Sequence, residues 1–273
     1  MRLCTSWVKC PKGGADTMKQ VTLVALYGKK PRDLEQLIKK CWQMINDSKL
    51  RRVFEQYHLN QVHGTITGME KVIDFDELFN ASEYRETGNK VIMQYNELPN
   101  IVRKHLPMTI RFGGFPKNYK KFKSWKKLPY EQSFRVDWGI SRFTLVGWSH
   151  KNGNFTNKHK LEELRLEIEK SCNIRHKYHR DKEYKDFYMV LGEIKGLQSL
   201  TDSELRELKC AASASLEESI RQYLLRNRID VEIGAEQVFL AQYEKETLSL
   251  DSTNAYCIQS PRINGDFIAG LYS

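Results

Sequence analysis

The sequence contains no C-x-x-C pair, no G-x-G-x-x-G or Walker-type glycine loop, and no apolar run of membrane-spanning length. The first absence leaves a cysteine zinc site without support. The second does the same for dinucleotide and nucleoside-triphosphate binding. The third, with a mean hydropathy of −0.59, excludes a chain built of transmembrane helices. The six cysteines are scattered, and Cys41, Cys172 and Cys210 fall in helical-looking stretches where a buried free thiol is the ordinary reading. Residues 1–17 lack the apolar stretch of a secretory signal, so they are read as a flexible leader, and the expected compartment is the reducing cytoplasm. Acidic residues are in deficit, 34 against 44 Lys and Arg, for a net charge of +10. That surplus favours anionic partners and disfavours acidic metal cages.

Aromatic residues are plentiful: 12 Phe, 13 Tyr and 5 Trp in 273 residues supply a real core and argue against disorder. Val21–Tyr27 is a short apolar, β-branched run ending at Gly28 and predicts a buried strand. Pro31 then opens a helix whose apolar face is Leu34, Leu37, Ile38, Cys41 and Ile45. Val62–Met69 predicts the next strand. Further along, Phe75–Phe79 suggests a helical turn, Val91–Tyr95 and Met108–Phe112 suggest strands, and Phe134–Trp148 suggests two strands or one bent at Gly139.

The later half repeats the opening plan. Phe143–Trp148 resembles Val21–Tyr27, Leu161, Leu164 and Ile168 mark a helix, and Asp186–Ile194 is the following strand. Both first strands read T-L-V, and both second strands end in a Gly followed closely by Glu. The expected repeats lie near residues 20–70 and 142–194. Thr201-x-x-Glu204 opens a long helix with Leu208, Ala212, Leu216, Ile220 and Leu224 inward. Asp230–Tyr243 reads as one half-exposed strand. The expected fold is α+β: residues 18–273 form a single domain of two pseudo-symmetric, strand-rich lobes with outer helices around a central cleft.

His63-Gly64-Thr65 is the most specific short stretch. Residues two apart on a strand share a face, so an imidazole and a hydroxyl stand side by side. The first can move a proton near neutral pH and the second can hold a phosphoryl oxygen. By itself the pattern is weak, and its bland alternative is a satisfied structural histidine. The strand, helix and H-x-T strand, the repeated plan and the basic balance together resemble the two-histidine (2H) phosphoesterases, which include the 2′-5′ RNA ligase-like and RNA 2′,3′-cyclic phosphodiesterase-like proteins. In that family two H-x-[TS] motifs face each other across a cleft, one His acting as base and the other as acid, with no metal or other cofactor.

The resemblance assigns the first motif to His63 and Thr65 and finds no second one. Aligning the glycines puts Phe187 and Met189 at its place; sliding by one puts Tyr188 and Val190 there. An inward Tyr188 could contact phosphate. His176 and His179, in a basic loop before that strand, are candidate substitute acids, against the blander reading of a solvated loop. Lys120, Lys123 and Lys126 interleave with Tyr119 and Trp125, a pattern either of a nucleic-acid surface or of aromatics packed inward beneath solvated lysines. The expected activity is therefore that of a divergent, metal-independent phosphodiesterase acting on RNA ends, cyclic phosphates or cyclic nucleotides. The alternatives are a catalytically weakened module of the same fold that binds RNA or a nucleotide, and a protein that keeps the fold alone.

Overall fold

The computed structural model describes residues 19–74, 77–155, 159–176 and 184–272. The leader and His179 lie outside them. Twelve strands run β1 (Gln20–Ala25), β2 (Phe54–Gln56), β3 (Gly64–Gly68), β4 (Lys71–Asp74), β5 (Glu77–Asn80), β6 (Met108–Phe112), β7 (Phe134–Asp137), β8 (Arg142–His150), β9 (Asp186–Ile194), β10 (Ile229–Ile233), β11 (Val238–Tyr243) and β12 (Thr253–Cys257). The helices are α1 (Arg32–Asn46), α2 (Ala81–Thr87), α3 (Leu98–Lys104), α4 (Pro129–Gln132), α5 (Lys160–Cys172), α6 (Asp202–Ala211), α7 (Glu217–Arg226) and α8 (Gly265–Gly270). The fold is α+β. No helix among the described residues is long and apolar enough to cross a membrane.

Ten strands form one antiparallel sheet in the order β10-β6-β8-β9-β3-β1-β11-β12, with β2 on β9 and β7 on β8; β4 and β5 form a separate hairpin. Alternation decides what each face carries. Val21, Leu23 and Ala25 of β1, Ile66 of β3, and Phe187, Met189 and Leu191 of β9 point into the main core. There they meet Leu34, Leu37, Ile38, Cys41 and Ile45 of α1, and Leu161, Leu164 and Ile168 of α5. Trp42 also belongs to the buried face of α1, and its indole N–H donates to the carbonyl of Leu191 at 2.9 Å, tying α1 to β9. The intervening residues of the same strands carry the cleft.

The capping box forms: Thr201 Oγ accepts from the Glu204 N–H, and Glu204 Oε2 accepts from the Thr201 N–H. The long helix it opens is interrupted by a π turn at Ala212–Leu216. Leu208, Ala212, Leu216, Ile220 and Leu224 are all buried. Strict four-residue steps drift round an α-helix; the wider π turn rotates the stripe back and keeps all five on the core.

Three local expectations change. Residues 77–80 are a strand that turns back on β4, not a helical turn. Val91–Tyr95 makes only a bridge, Phe79 to Ile92. Asp230–Tyr243 is two strands, because Gly234 starts a tight 3-10 turn at Ala235–Gln237 and breaks the alternation. β10 pairs with β6, whereas β11 pairs with β1. In a flat sheet these strands would lie six spacings apart, about 29 Å. The four residues 234–237 reach at most about 18 Å. The sheet is therefore strongly bent, bringing β10 and β11 together.

Candidate functional site

The cleft forms where β3 and β9 part. They pair through Gly64 and Met189. Gly64 is required there, because a Cβ would fall inside the Phe187 ring. Beyond that bridge the guanidinium of Arg165, fully buried on α5, fills the gap. Its Nε donates to the Ile66 carbonyl at 2.5 Å and its Nη2 to that of Thr65 at 2.8 Å. Its Nη1 donates to the carbonyls of Tyr184 and Asp186, at 2.8 and 3.0 Å. Arg165 thus replaces the missing strand ladder. Burial lowers its pKa to about 10, against the pull of Asp186, Tyr184 and Glu162.

A cavity of about 360 Å3 opens over this gap. His63, Thr65, Trp125, His176 and Tyr188 all line it. Its described charged lining is mixed: Arg135, Arg142 and Arg165 against Glu70, Asp137, Asp186 and Glu246. The basic surplus of the chain is therefore not concentrated here. Arg135 pairs with Asp137 at 2.9 Å. Among the described residues, no three His, Cys, Asp or Glu side chains gather closely enough to hold a metal ion.

His63 is half-buried, and its Nδ1 lies 2.7 Å from the carbonyl of Gln61. A carbonyl only accepts, so Nδ1 carries a proton, and whenever the ring is neutral its lone pair is on Nε2. Thr65 follows on the same face. His176 has the opposite tautomer: the Gly68 N–H donates to its Nδ1 at 3.1 Å, so Nε2 carries its proton. It is buried against the Tyr184 ring.

On the other wall, Phe187 and Met189 point into the core, so the glycine alignment selects two buried residues that do not face the cleft. Strand register gives the reason. Val24 stands opposite Thr65, and Val146 opposite Tyr188. A bulge lies next to the first pair, at Leu23/Val24, but two residues beyond the second, at Phe143/Thr144, and the glycines sit past the bulge in both. The residues facing the cleft are Asp186, Tyr188 and Val190. The apolar alternation Phe187, Met189, Leu191 was the sequence signal for this.

The Tyr188 hydroxyl makes no hydrogen bond of good geometry among the described residues, and neither does Arg135 Nε. The two side chains are neighbours, the guanidinium carbon lying 5.7 Å from the ring centre. Burial raises the Tyr188 pKa, with Arg135 opposing. Asp186 is buried and accepts from Ser124 Oγ and from Trp148 Nε1 at 2.7 Å. Burial pushes its carboxyl above the usual carboxylate range; Ser124, Trp148 and the arginines hold it down.

The lysine and aromatic segment divides by role. Phe122 is buried with Phe115, Trp148 and Phe155, and Tyr119 packs half-buried against them. Lys120, Lys123 and Lys126 are exposed. Trp125 differs from the other aromatics. It stays 38% exposed and lines the cleft. It and Lys126 form a two-residue turn closed by Ser124 and Lys127, with φ of 50° and 63°. Left-handed backbone costs a non-glycine residue about 1–2 kcal/mol. The loss is offset by Ser124, which is locked between Asp186 and Gln132 Nε2.

No family model and no curated protein matches the chain. It is similar in structure to a conserved protein of unknown function from Agrobacterium tumefaciens, with 9% sequence identity, 88% of this chain and 84% of that one covered, and a TM-score of 0.44.

Proposed function

We propose that this cleft binds the phosphate of a nucleotide or RNA end and hydrolyses a phosphoester there without a metal, as a divergent relative of the two-histidine phosphoesterases. The observation that carries the reading is the placement of His63 and Thr65, with a defined histidine tautomer, in one cavity with Tyr188 and Arg135. With the two T-L-V runs equated, the pairing of Val24 with Thr65 and of Val146 with Tyr188 supports a repeated two-lobe plan, the bulge falling two residues further from the pair in the second. In that plan Asp186-Phe187-Tyr188 occupies the place of the second H-x-[TS] motif.

The chemistry follows from the groups present. His63 Nε2 takes a proton from water as the water oxygen attacks phosphorus. Thr65 and the Tyr188 and Arg135 pair hold the phosphoryl oxygens. The bond from phosphorus to one ribose oxygen breaks, and that oxygen takes its proton from solvent. Asp186 does not replace a catalytic acid well, because Ser124 and Trp148 both donate to it and favour its ionised form. Turnover is therefore expected about 10²–10⁴-fold below that of a site with a positioned acid. The same clamp favours the second reading, a module that binds the phosphate ligand without cutting it.

Incubation with 2′,3′-cyclic-phosphate RNA and with cyclic dinucleotides in EDTA, beside His63→Ala, separates the two. Turnover lost in the variant supports the phosphodiesterase. Binding without turnover supports the module. Neither binding nor turnover would overturn both.

A further inference from the structure

We infer that Trp125 is a nucleobase platform, so that the cleft takes a single nucleotide unit with its base stacked on the indole and its phosphate at His63 and Thr65. This inference rests on the phosphate reading of the cleft. It adds a second subsite, assigns the base contact to a named residue, and limits the bound ligand to a single nucleotide unit.

Three observations carry it. Five large apolar side chains are exposed among the described residues, and two of them, Trp125 and Ile140, at 38% and 46%, line this one cavity. They come from different segments, the turn closed by Ser124 and Lys127 and the link between β7 and β8. The cleft thus carries apolar surface at its rim and polar groups within, the profile of a ligand with a flat apolar end and a charged end.

The second observation is the backbone. Trp125 is held in the left-handed region, where an aromatic residue is disfavoured. Such conformations persist when the surroundings enforce them, and they cluster at functional sites. Here Ser124 enforces it, and its hydroxyl is bonded to Asp186 on the cleft wall. The indole is thereby fixed relative to the proposed phosphate subsite, which lowers the ordering cost of stacking a base.

The third is size. Ligand pockets run from about 300 to 1,000 Å3, and this one, at about 360 Å3, lies near the small end. That suits one nucleotide better than a strand laid across a surface. The exposed Lys120 and Lys123 are then peripheral. Stacking on a single aromatic is tolerant of base identity, because every base has a π face.

The test compares ligands that share a phosphate and differ in the base. Binding of adenosine 3′-monophosphate, ribose 5-phosphate and inorganic phosphate is measured by calorimetry for the wild type, Trp125→Ala, Trp125→Phe and His63→Ala, each checked for folding by circular dichroism. The wild type should prefer the nucleotide over ribose phosphate by about 10-fold or more. Trp125→Ala should abolish that preference, Trp125→Phe should keep most of it, and His63→Ala should weaken the nucleotide and ribose phosphate alike. Equal affinities in the wild type, or a preference that survives in Trp125→Ala, overturn the platform and leave the phosphate site standing. Failure of all three ligands to bind the wild type overturns the phosphate reading and the platform with it.

Discussion

The hydroxyl of Ser124 lies 2.5 and 2.6 Å from the two carboxylate oxygens of Asp186, on a segment 62 residues away in the chain. One proton serves both oxygens in turn, and the pair joins the lysine-rich segment to the wall of the cleft.

Ser124→Ala should therefore destabilise the protein by about 1–3 kcal/mol, and more at pH 7 than at pH 4. Asp186 has a folded pKa above its unfolded value of 3.8, so burying the charge costs stability as pH rises through that window. Removing a donor to the carboxylate raises the folded pKa further. Urea unfolding at both pH values checks this; an equal loss at each would show that Asp186 is not the group affected.

Arg165→Met should cost at least about 3 kcal/mol, because it strips donors from four carbonyls. Arg165→Lys should recover part of the loss. If Arg165→Met unfolds at wild-type urea concentrations, the guanidinium is not what holds β3 to β9.

Gly64→Ala should cost about 1–3 kcal/mol through overpacking against Phe187. With Phe187→Leu in the same chain, the combined loss should be smaller than the sum of the two by about 0.5 kcal/mol or more. A double-mutant cycle in urea measures the coupling; strict additivity would contradict the contact.

Thr65→Val keeps the shape of the side chain and removes the hydroxyl. Phosphodiester turnover should fall about 10²-fold while the melting temperature moves little. Unchanged kcat/KM would remove Thr65 from the site.

His159 is buried against Phe122, and its pKa is pushed down to about 4 by burial and by Lys185. The unfolded chain takes up its proton first, near 6.5, so stability falls as pH drops from about 6.5 and levels off below about 4. His159→Phe should gain on the wild type as pH falls across that window. Parallel melting curves for the two proteins between pH 7 and 4.5 would argue otherwise.

Much of the frame was legible in the sequence. β1, α1, β3, β8, α5 and β9 follow from runs and periods long enough to fix their type, and the Thr65 face of β3 follows from period two. The far wall of the cleft was legible in part. Glycines looked like the natural anchor for aligning β3 with β9, but the two bulges fall at different distances from Thr65 and Tyr188, which shifts the count and which no local pattern reports. Asp186 was passed over because a lone acid before an apolar run looks like a strand terminus. Arg165, Arg135 and Ser124 act through contacts distant in sequence. Trp125 looked like its neighbours Tyr119 and Phe122 until the turn at Ser124–Lys127 sent it the other way.

The four-residue connector from β10 to β11 also limits how the molecule can move. The strands around β8 and those around β1 are joined along β3 and β9, through residues 234–237, whose last carbonyl also accepts from the Leu26 N–H at 2.8 Å, and by the Arg142–Glu246 ion pair at 3.5 Å. Parts joined at several places are less free to hinge apart than parts joined at one. On the proposed reading, Trp125 and Ile140, both exposed on the cavity lining, would meet a ligand as it enters.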